Sequence, residues 1–338
     1  MRAAIITTPG SITVDERPDP TPTLDGVVLR VGACGICGTD VHIADGEFPP
    51  SPYPLVPGHE FAGEVVEVGS RAPGGLRVGD RVAVDPSLFC GYCEYCRAGR
   101  GNLCANWGAI GDTVDGAFAE FVAVPAANCY RIPDSMSWQE GALVEPLSCA
   151  VHGVRRVGVE AGERFLMIGA GTMGLLLLQL LRNAGAQVYV VDRNPDRLRI
   201  AASLGATATA TDAADLPHTG FDAAVDVTGA PSAIEAAFDG LRRGGRLLVF
   251  GVAPDEARVQ LSPFRIYNDE ITVVGSMAVL HSFGAAVDLL AAGTVETAPL
   301  LTHAEPLERF PEALGLMRAG AGVKVQVIPE GSAKRPPN

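Results

Sequence analysis

Apolar residues along the chain follow one rhythm in its first part and another afterwards. Up to about residue 150 they come in short β-type runs, such as 27–31, 64–68 and 81–84, punctuated by Gly and Pro; this predicts a β-rich, loop-heavy domain. From about residue 150 apolar strands alternate with helical stretches, at 164–168, 173–183, 187–191, 195–204, 223–227, 234–241 and 246–252. Alternation of this kind predicts a parallel sheet wound with crossover helices. A further strand at 271–276 precedes helix-like stretches around 283–292 and 307–319 and a terminal apolar run, 323–328, placed to return to the first domain. Residues 330–338 carry nothing apolar to dock and read as a loose tail.

Composition narrows the class. A chain of 338 residues at 47% hydrophobic content buries a large core and favours more than one domain. Its net charge of -13, from 39 acidic against 26 basic residues, opposes binding to nucleic acid or anionic membrane, since both reward clustered positive charge. The longest apolar run, 175–181, is interrupted by Gln179 and falls far short of the roughly 20 residues that span a bilayer, so it reads as a buried helix. Half of the eight cysteines sit at metal-ligand spacing, the rest are scattered, and no signal peptide is seen, which predicts a reducing cytoplasm.

The clustered half is Cys90, Cys93, Cys96 and Cys104, in a Cys-x2-Cys-x2-Cys-x7-Cys run. Four thiolates close a tetrahedral zinc shell and leave no open position, so this site is expected to clamp a loop and perform no chemistry. Four negative sulfurs against Zn2+ leave -2, which Arg97 and Arg100 are placed to offset.

Gly169-Ala170-Gly171-Thr172-Met173-Gly174 follows the predicted strand 165–168 and opens a helix, the context a dinucleotide fingerprint requires. Gly169 allows the turn, Gly171 lets backbone approach a pyrophosphate, Gly174 lets helix and strand pack, and the helix N-terminus supplies donors around Thr172 and Met173. Asp192, ending the next strand, is placed to accept hydrogen bonds from a ribose diol, which favours NAD over NADP; Arg193 and Arg197 pull the other way.

A second metal set lies in the first domain: Cys37 and His42 within Gly35–His42, His59 and Glu60 in Pro57-Gly58-His59-Glu60, and Glu145 where the domains should join. Three protein ligands and one vacancy are what a catalytic zinc needs. With Gly63, Gly69, Val78-Gly79-Asp80-Arg81-Val82, Glu145-Pro146-Leu147, the cysteine quartet and the nucleotide loop, these residues resemble the zinc-dependent medium-chain alcohol dehydrogenases, notably the polyol and threonine dehydrogenase branch.

That resemblance implies an α/β protein. A GroES-like catalytic domain would span 1–149 and be completed by 279–338; a Rossmann coenzyme domain would span 150–278; substrate would bind in the cleft between them. It implies Cys37 and His59 on the catalytic zinc, Glu145 where some relatives have cysteine or aspartate and the polyol branch has glutamate, and Glu60 either on the metal or just behind it. Charge suggests an exchange: Cys37 thiolate and one glutamate neutralise Zn2+, whereas both Glu60 and Glu145 would leave -1, so the two are expected to trade places during turnover. Thr39 resembles the hydroxyl that touches the substrate oxygen, and His42 the imidazole that relays its proton to solvent. The implied activity is reversible oxidation of a secondary alcohol with NAD and two zinc ions per chain, in a homodimer or homotetramer. Oxidation of a threonine-type 3-hydroxy amino acid is the alternative. Met277-Ala278 stand where the animal sorbitol enzymes carry an Arg-Tyr pair, so sorbitol itself is not singled out.

Other readings weigh less. A dithiol redox pair at Cys34-Gly35-Ile36-Cys37 lacks its usual helix start. A zinc-free quinone or enone reductase would lack the cysteines and Gly-His-Glu, and a non-catalytic nucleotide binder would not keep Cys37, Thr39, His42, His59 and Glu145 together. Cys34 is expected as a thiol packed behind the zinc, Cys129 and Cys149 as small buried hydrophobes, and His152, His218, His281 and His303 as structural.

Overall fold

The computed structural model describes residues 1–47 and 51–329; the tail expected at 330–338 lies outside them. The chain forms two compact units. One comprises Met1–Pro146, Val279–Gly293 and the chain from Leu301 onward; the other comprises Leu147–Ala278 and Thr294–Leu300.

The first unit is organised by its longest strand, Gly26–Gly35, whose Val27, Val28, Leu29 and Val31 are all buried. On one side it pairs antiparallel with Glu60–Val68. On the other its first half pairs with Phe121–Pro125 and its end with Lys324–Ile328, by the register Gln326↔Gly35 and Val327↔Cys34. The seven-stranded sheet is completed by Leu301–Pro306, Arg81–Val84 and Cys129–Arg131. The C-terminal helix Phe310–Arg318 seals the core: Phe310 and Leu314 join Leu29, Phe61 and Phe118, and the rings of Phe118 and Phe310 lie 4.6 Å apart. Each such side chain contributes about 1.5–3 kcal/mol by leaving water, which is why the C-terminal segment returns to the first unit.

The second unit is a six-stranded, wholly parallel sheet. Across it run Ala208–Ala210, Gln187–Val191, Arg164–Ile168, Phe221–Asp226, Leu241–Val249 and Thr272–Gly275. Numbered along the chain this is the order 3-2-1-4-5-6 of a doubly wound dinucleotide fold, with its topological switch between Arg164–Ile168 and Phe221–Asp226. The expected α/β class, with a GroES-like β domain and a Rossmann domain, is the observed one.

Boundaries moved where pairing or turn chemistry outweighs hydropathy. The helix expected at 234–241 is Pro231–Asp239, because Pro231 suits the first helical turn, where no N–H is needed. The strand expected from 246 begins at Leu241, which pairs with Phe221 ahead of a bulge holding the polar Arg242–Gly245 segment. Cys129 and Cys149 are half-buried and not fully enclosed; Cys129 sits on an edge strand. Burial still pushes its thiol up to about 12.

Candidate metal and cofactor sites

The four sulfurs of Cys90, Cys93, Cys96 and Cys104 lie within 4.8 Å of one another. Cys104 Sγ is 3.5 Å from Cys90 Sγ and 3.9 Å from Cys93 Sγ. These spacings match the ~3.8 Å edge of a tetrahedron with Zn–S bonds of ~2.3 Å, and no disulfide forms. Backbone amides aim at the sulfurs: Cys93 N donates to Cys90, Cys96 N to Cys93, and both Cys90 N and Asn106 N to Cys104. Amide donors favour thiolates, so the quartet fits a structural zinc. Burial raises the Cys90 thiol, but donation from Tyr92 and Cys93 outweighs it and brings Cys90 down to about 6. Burial and the neighbouring sulfurs push Cys96 up to about 12. Arg97 and Arg100 are exposed beside the quartet.

The second set is assembled by strand register. Gly35↔Glu60 and Cys34↔Phe61 lay the end of one strand against the start of the next. Cys37 then caps the helix Gly38–Asp45, its N–H donating to Asp40 Oδ2 at 2.7 Å. Donor atoms of Cys37, His59 and Glu60 all lie within 4.8 Å of one another. Glu145, in the first turn of the helix Val144–Val157, is buried but not a member of that set. Thr39 Oγ1 is 3.8 Å from Cys37 Sγ. His42 Nδ1 pairs with Glu47 Oε2 at 2.8 Å, with both side chains reaching solvent. Cys34 is fully buried behind the set, and burial drives its thiol well above its ordinary value.

Polar atoms around this set are oriented but incompletely bonded. His59 Nδ1, Asp112 Oδ1, Asp40 Oδ1 and Glu60 Oε2 are buried without an aligned hydrogen bond. His59 Nδ1 nevertheless lies 3.1 Å from Asp112 Oδ1 and 3.8 Å from Asp40 Oδ1. The Lys324 ammonium is ion-paired with Glu60 Oε2 and donates to Ile36 O at 2.9 Å. Burial pushes Asp40 up to about 7. For His59, burial opposes the proton, but Asp112 and Asp40 outweigh it and raise the imidazole well above its usual value. A divalent cation bound at the other ring nitrogen, on the side of Cys37 and Glu60, would supply the positive charge that a second proton otherwise brings to the imidazole, while Nδ1 keeps its hydrogen toward the carboxylates; the donor set therefore fits zinc.

In the other unit Gly169, at φ +113°, turns the chain from Arg164–Ile168 into the helix Thr172–Asn183, which Gly171 caps. A Cβ on Gly174 would overlap the Gly169 carbonyl oxygen. Asp192 is tied to this loop: its Oδ2 accepts from Ala170 N at 2.7 Å and its Oδ1 from Asn194 N at 2.8 Å. Arg193 is exposed and Arg197 half-buried on the following helix. Across the switch point the fully buried Asp226 accepts from Thr228 N, Thr228 Oγ1 and Gly229 N. Amide donors and acidic side chains thus collect at the C-terminal strand ends, the edge at which doubly wound folds of this strand order bind dinucleotides.

Residues 24–134 match the family model of the alcohol dehydrogenase GroES-like domain, and residues 172–292 that of the zinc-binding dehydrogenase. The chain belongs to the zinc-dependent medium-chain dehydrogenase family. It is 40% identical to D-arabinitol dehydrogenase 1 of Uromyces fabae, with 90% of each chain covered. It is 35% identical to an L-threonine 3-dehydrogenase of Saccharopolyspora erythraea, covering 96% of this chain and 98% of that one. A protein of Sinorhizobium meliloti 1021 described as a zinc-binding dehydrogenase, solved bound to NADP, superposes with a TM-score of 0.93 at 37% identity, covering 97% and 99%. The protein is an oxidoreductase, and its cofactors are zinc and a nicotinamide dinucleotide.

Asp112, Lys324 and Asp226 were not singled out from sequence. Asp226 had a signal, an acid closing an apolar strand just before Thr228-Gly229; so had Lys324, a lone cation in the run 323–328. Asp112 had none. Among the structural histidines, His218 packs between Tyr189 and Phe221, and no described helix is long and apolar enough to cross a membrane.

Proposed function

We propose that this enzyme reversibly oxidises a secondary alcohol of a polyol or similarly hydroxylated small molecule to the ketone, with NAD in preference to NADP. The observation that carries the reading is the convergence of Cys37, His59 and Glu60 within 4.8 Å, one ligand short of a closed shell. Bound zinc would supply Lewis acidity toward the substrate oxygen, and bound dinucleotide would supply the hydride acceptor. Cys37 and Glu60 provide the charge that balances the ion, and His59 a neutral donor. Thr39 offers its hydroxyl to the substrate oxygen. His42 passes the proton outward, with Glu47 beside it to steady the imidazolium. Glu60 is the resting carboxylate and Glu145 its substitute during turnover; wild-type zinc content and rate in both Glu60→Gln and Glu145→Gln would end that assignment.

The zinc chemistry is assigned to residues 1–149 with 279–338, and the dinucleotide to 150–278. Asp192 supports NAD, because a 2′-phosphate would meet a carboxylate already fixed by two amides. Oxidation of a 3-hydroxy amino acid is the second reading, favoured by the similarity to the threonine enzyme. A homodimer or homotetramer is supported by the edge strand Thr272–Gly275, with exposed Val273 and neighbouring Tyr267 and Phe264. A cytoplasmic setting is supported by eight cysteines without a disulfide.

A panel of polyols and amino alcohols, followed by NADH and NADPH formation with zinc counted per chain, tests the proposal. Turnover on polyols with NAD and two zincs is expected. Full activity after the labile zinc is stripped overturns it.

A further inference from the structure

Asp112 is 6% exposed and stands on the turn that follows the short strand Gly108–Ala109. Its Oδ1 lies 3.1 Å from His59 Nδ1, nearer than Asp40 Oδ1 at 3.8 Å. Asp40 is committed elsewhere through Oδ2, which accepts from Cys37 N at 2.7 Å. The Asp112 backbone is held on both sides: its N–H donates to Ala109 O at 3.2 Å, and its carbonyl accepts from Ser51 Oγ at 2.7 Å. Gly111, at φ +88°, brings this turn so close that a Cβ there would overlap Gly58 O, one residue before His59.

We infer that Asp112 is a positioning residue for His59. Its carboxylate accepts from the Nδ1–H, which keeps the proton on Nδ1, fixes the tautomer and turns the Nε2 lone pair toward Cys37 and Glu60. A neutral imidazole without this acceptor has two tautomers and a rotatable ring, only part of whose population presents a lone pair to a metal. The two carboxylates thus divide the work: Asp40 sets the Cys37 turn and Asp112 sets the imidazole. The inference rests on the reading of Cys37, His59 and Glu60 as a zinc site.

Asp112→Asn and Asp112→Ala test it, each with zinc affinity resolved into its two sites by chelator competition. A second readout is the visible spectrum of protein carrying Co2+ at the Cys37 site. Asn keeps an acceptor oxygen and loses the charge; Ala loses both. The expected result is weaker zinc binding at the Cys37 site, about tenfold for Asn and toward 100-fold for Ala. The Co2+ bands shift with it, while the quartet keeps its zinc. Wild-type affinity and spectrum in both variants, or parallel loss from both sites, overturns the assignment alone. Wild-type protein that binds zinc only in the quartet overturns the underlying reading instead.

Discussion

Lys324 and Glu60 form an ion pair closed off from water, the lysine 3% and the glutamate 2% exposed. They meet because Lys324–Ile328 and Glu60–Val68 flank the same strand, Gly26–Gly35. Gly35 lies between them, and any Cβ there would overlap the Glu60 carboxylate. Burial works against the lysine's charge, but Glu60 more than compensates and holds its pKa above the ordinary value.

Replacing Lys324 by Met leaves Glu60 buried without its cation. Breaking such a pair from one side costs about 3–5 kcal/mol. Under the proposed assignment zinc would give Glu60 a second positive partner, so Lys324→Met is expected to lower the melting temperature more in metal-free than in zinc-loaded protein. Equal losses in both forms would remove Glu60 from the metal.

Gly174→Ala pushes a methyl group into the Gly169 carbonyl. The loop must open, and the amides at the start of the helix Thr172–Asn183, which the proposed function aims at a pyrophosphate, would lose their aim. NADH binding, followed by fluorescence, is expected to weaken at least tenfold (~1.4 kcal/mol or more), with zinc content unchanged because the metal residues lie in the other unit.

Cys96→Ser removes one sulfur from the quartet. Metal binding by such a loop is folding free energy, so the variant should release its structural zinc, melt at lower temperature and be cut by protease between residues 88 and 108. Chelation that spares the quartet should instead abolish turnover with little change in melting temperature. Unchanged melting on loss of the quartet zinc would show that the ion does not clamp the loop.

His152 is buried on the helix Val144–Val157, where burial first and then Arg156 and Arg155 hold its pKa below 6.5. The unfolded chain takes up a proton near pH 6.5 that the folded chain refuses, so unfolding binds protons in this window. Stability is therefore complete above about pH 6.5 and falls as pH drops toward the folded value. His152→Gln should flatten that slope in denaturant titrations carried downward from neutral pH; an unaltered slope would assign the pH dependence to other groups.

The strand-turn-helix at Gly169–Gly174, the sulfur spacing of the quartet and the alternation beyond residue 150 were all readable, because each depends on residues within a few positions of one another. Cys37 and His59 stood out through the resemblance of their short motifs to a family pattern, since their spacing alone was only suggestive. Lys324, Asp112 and the hold of Asp192 on Ala170 were not readable, since each interaction joins segments that only strand pairing or loop packing brings together. Along the chain Glu145 matched the position where the polyol branch has a glutamate and Glu60 stood either on the metal or just behind it; in the structure Glu60 joins Cys37 and His59 while Glu145 does not belong to the set.

By itself, the order of residues determined which elements form, which fold class results and which side chains can ligate a metal or cradle a dinucleotide, since periodicity, turn chemistry and ligand spacing act over short range. Tertiary structure alone decided which of those side chains face one another, and with what charge. The reason is that register across Gly26–Gly35 and the stacking of the Asp112 turn on Gly58 are set by the packing of distant segments. A one-residue shift of register would turn side chains to the opposite face of the sheet and take His59, Glu60 and Lys324 out of reach of their partners.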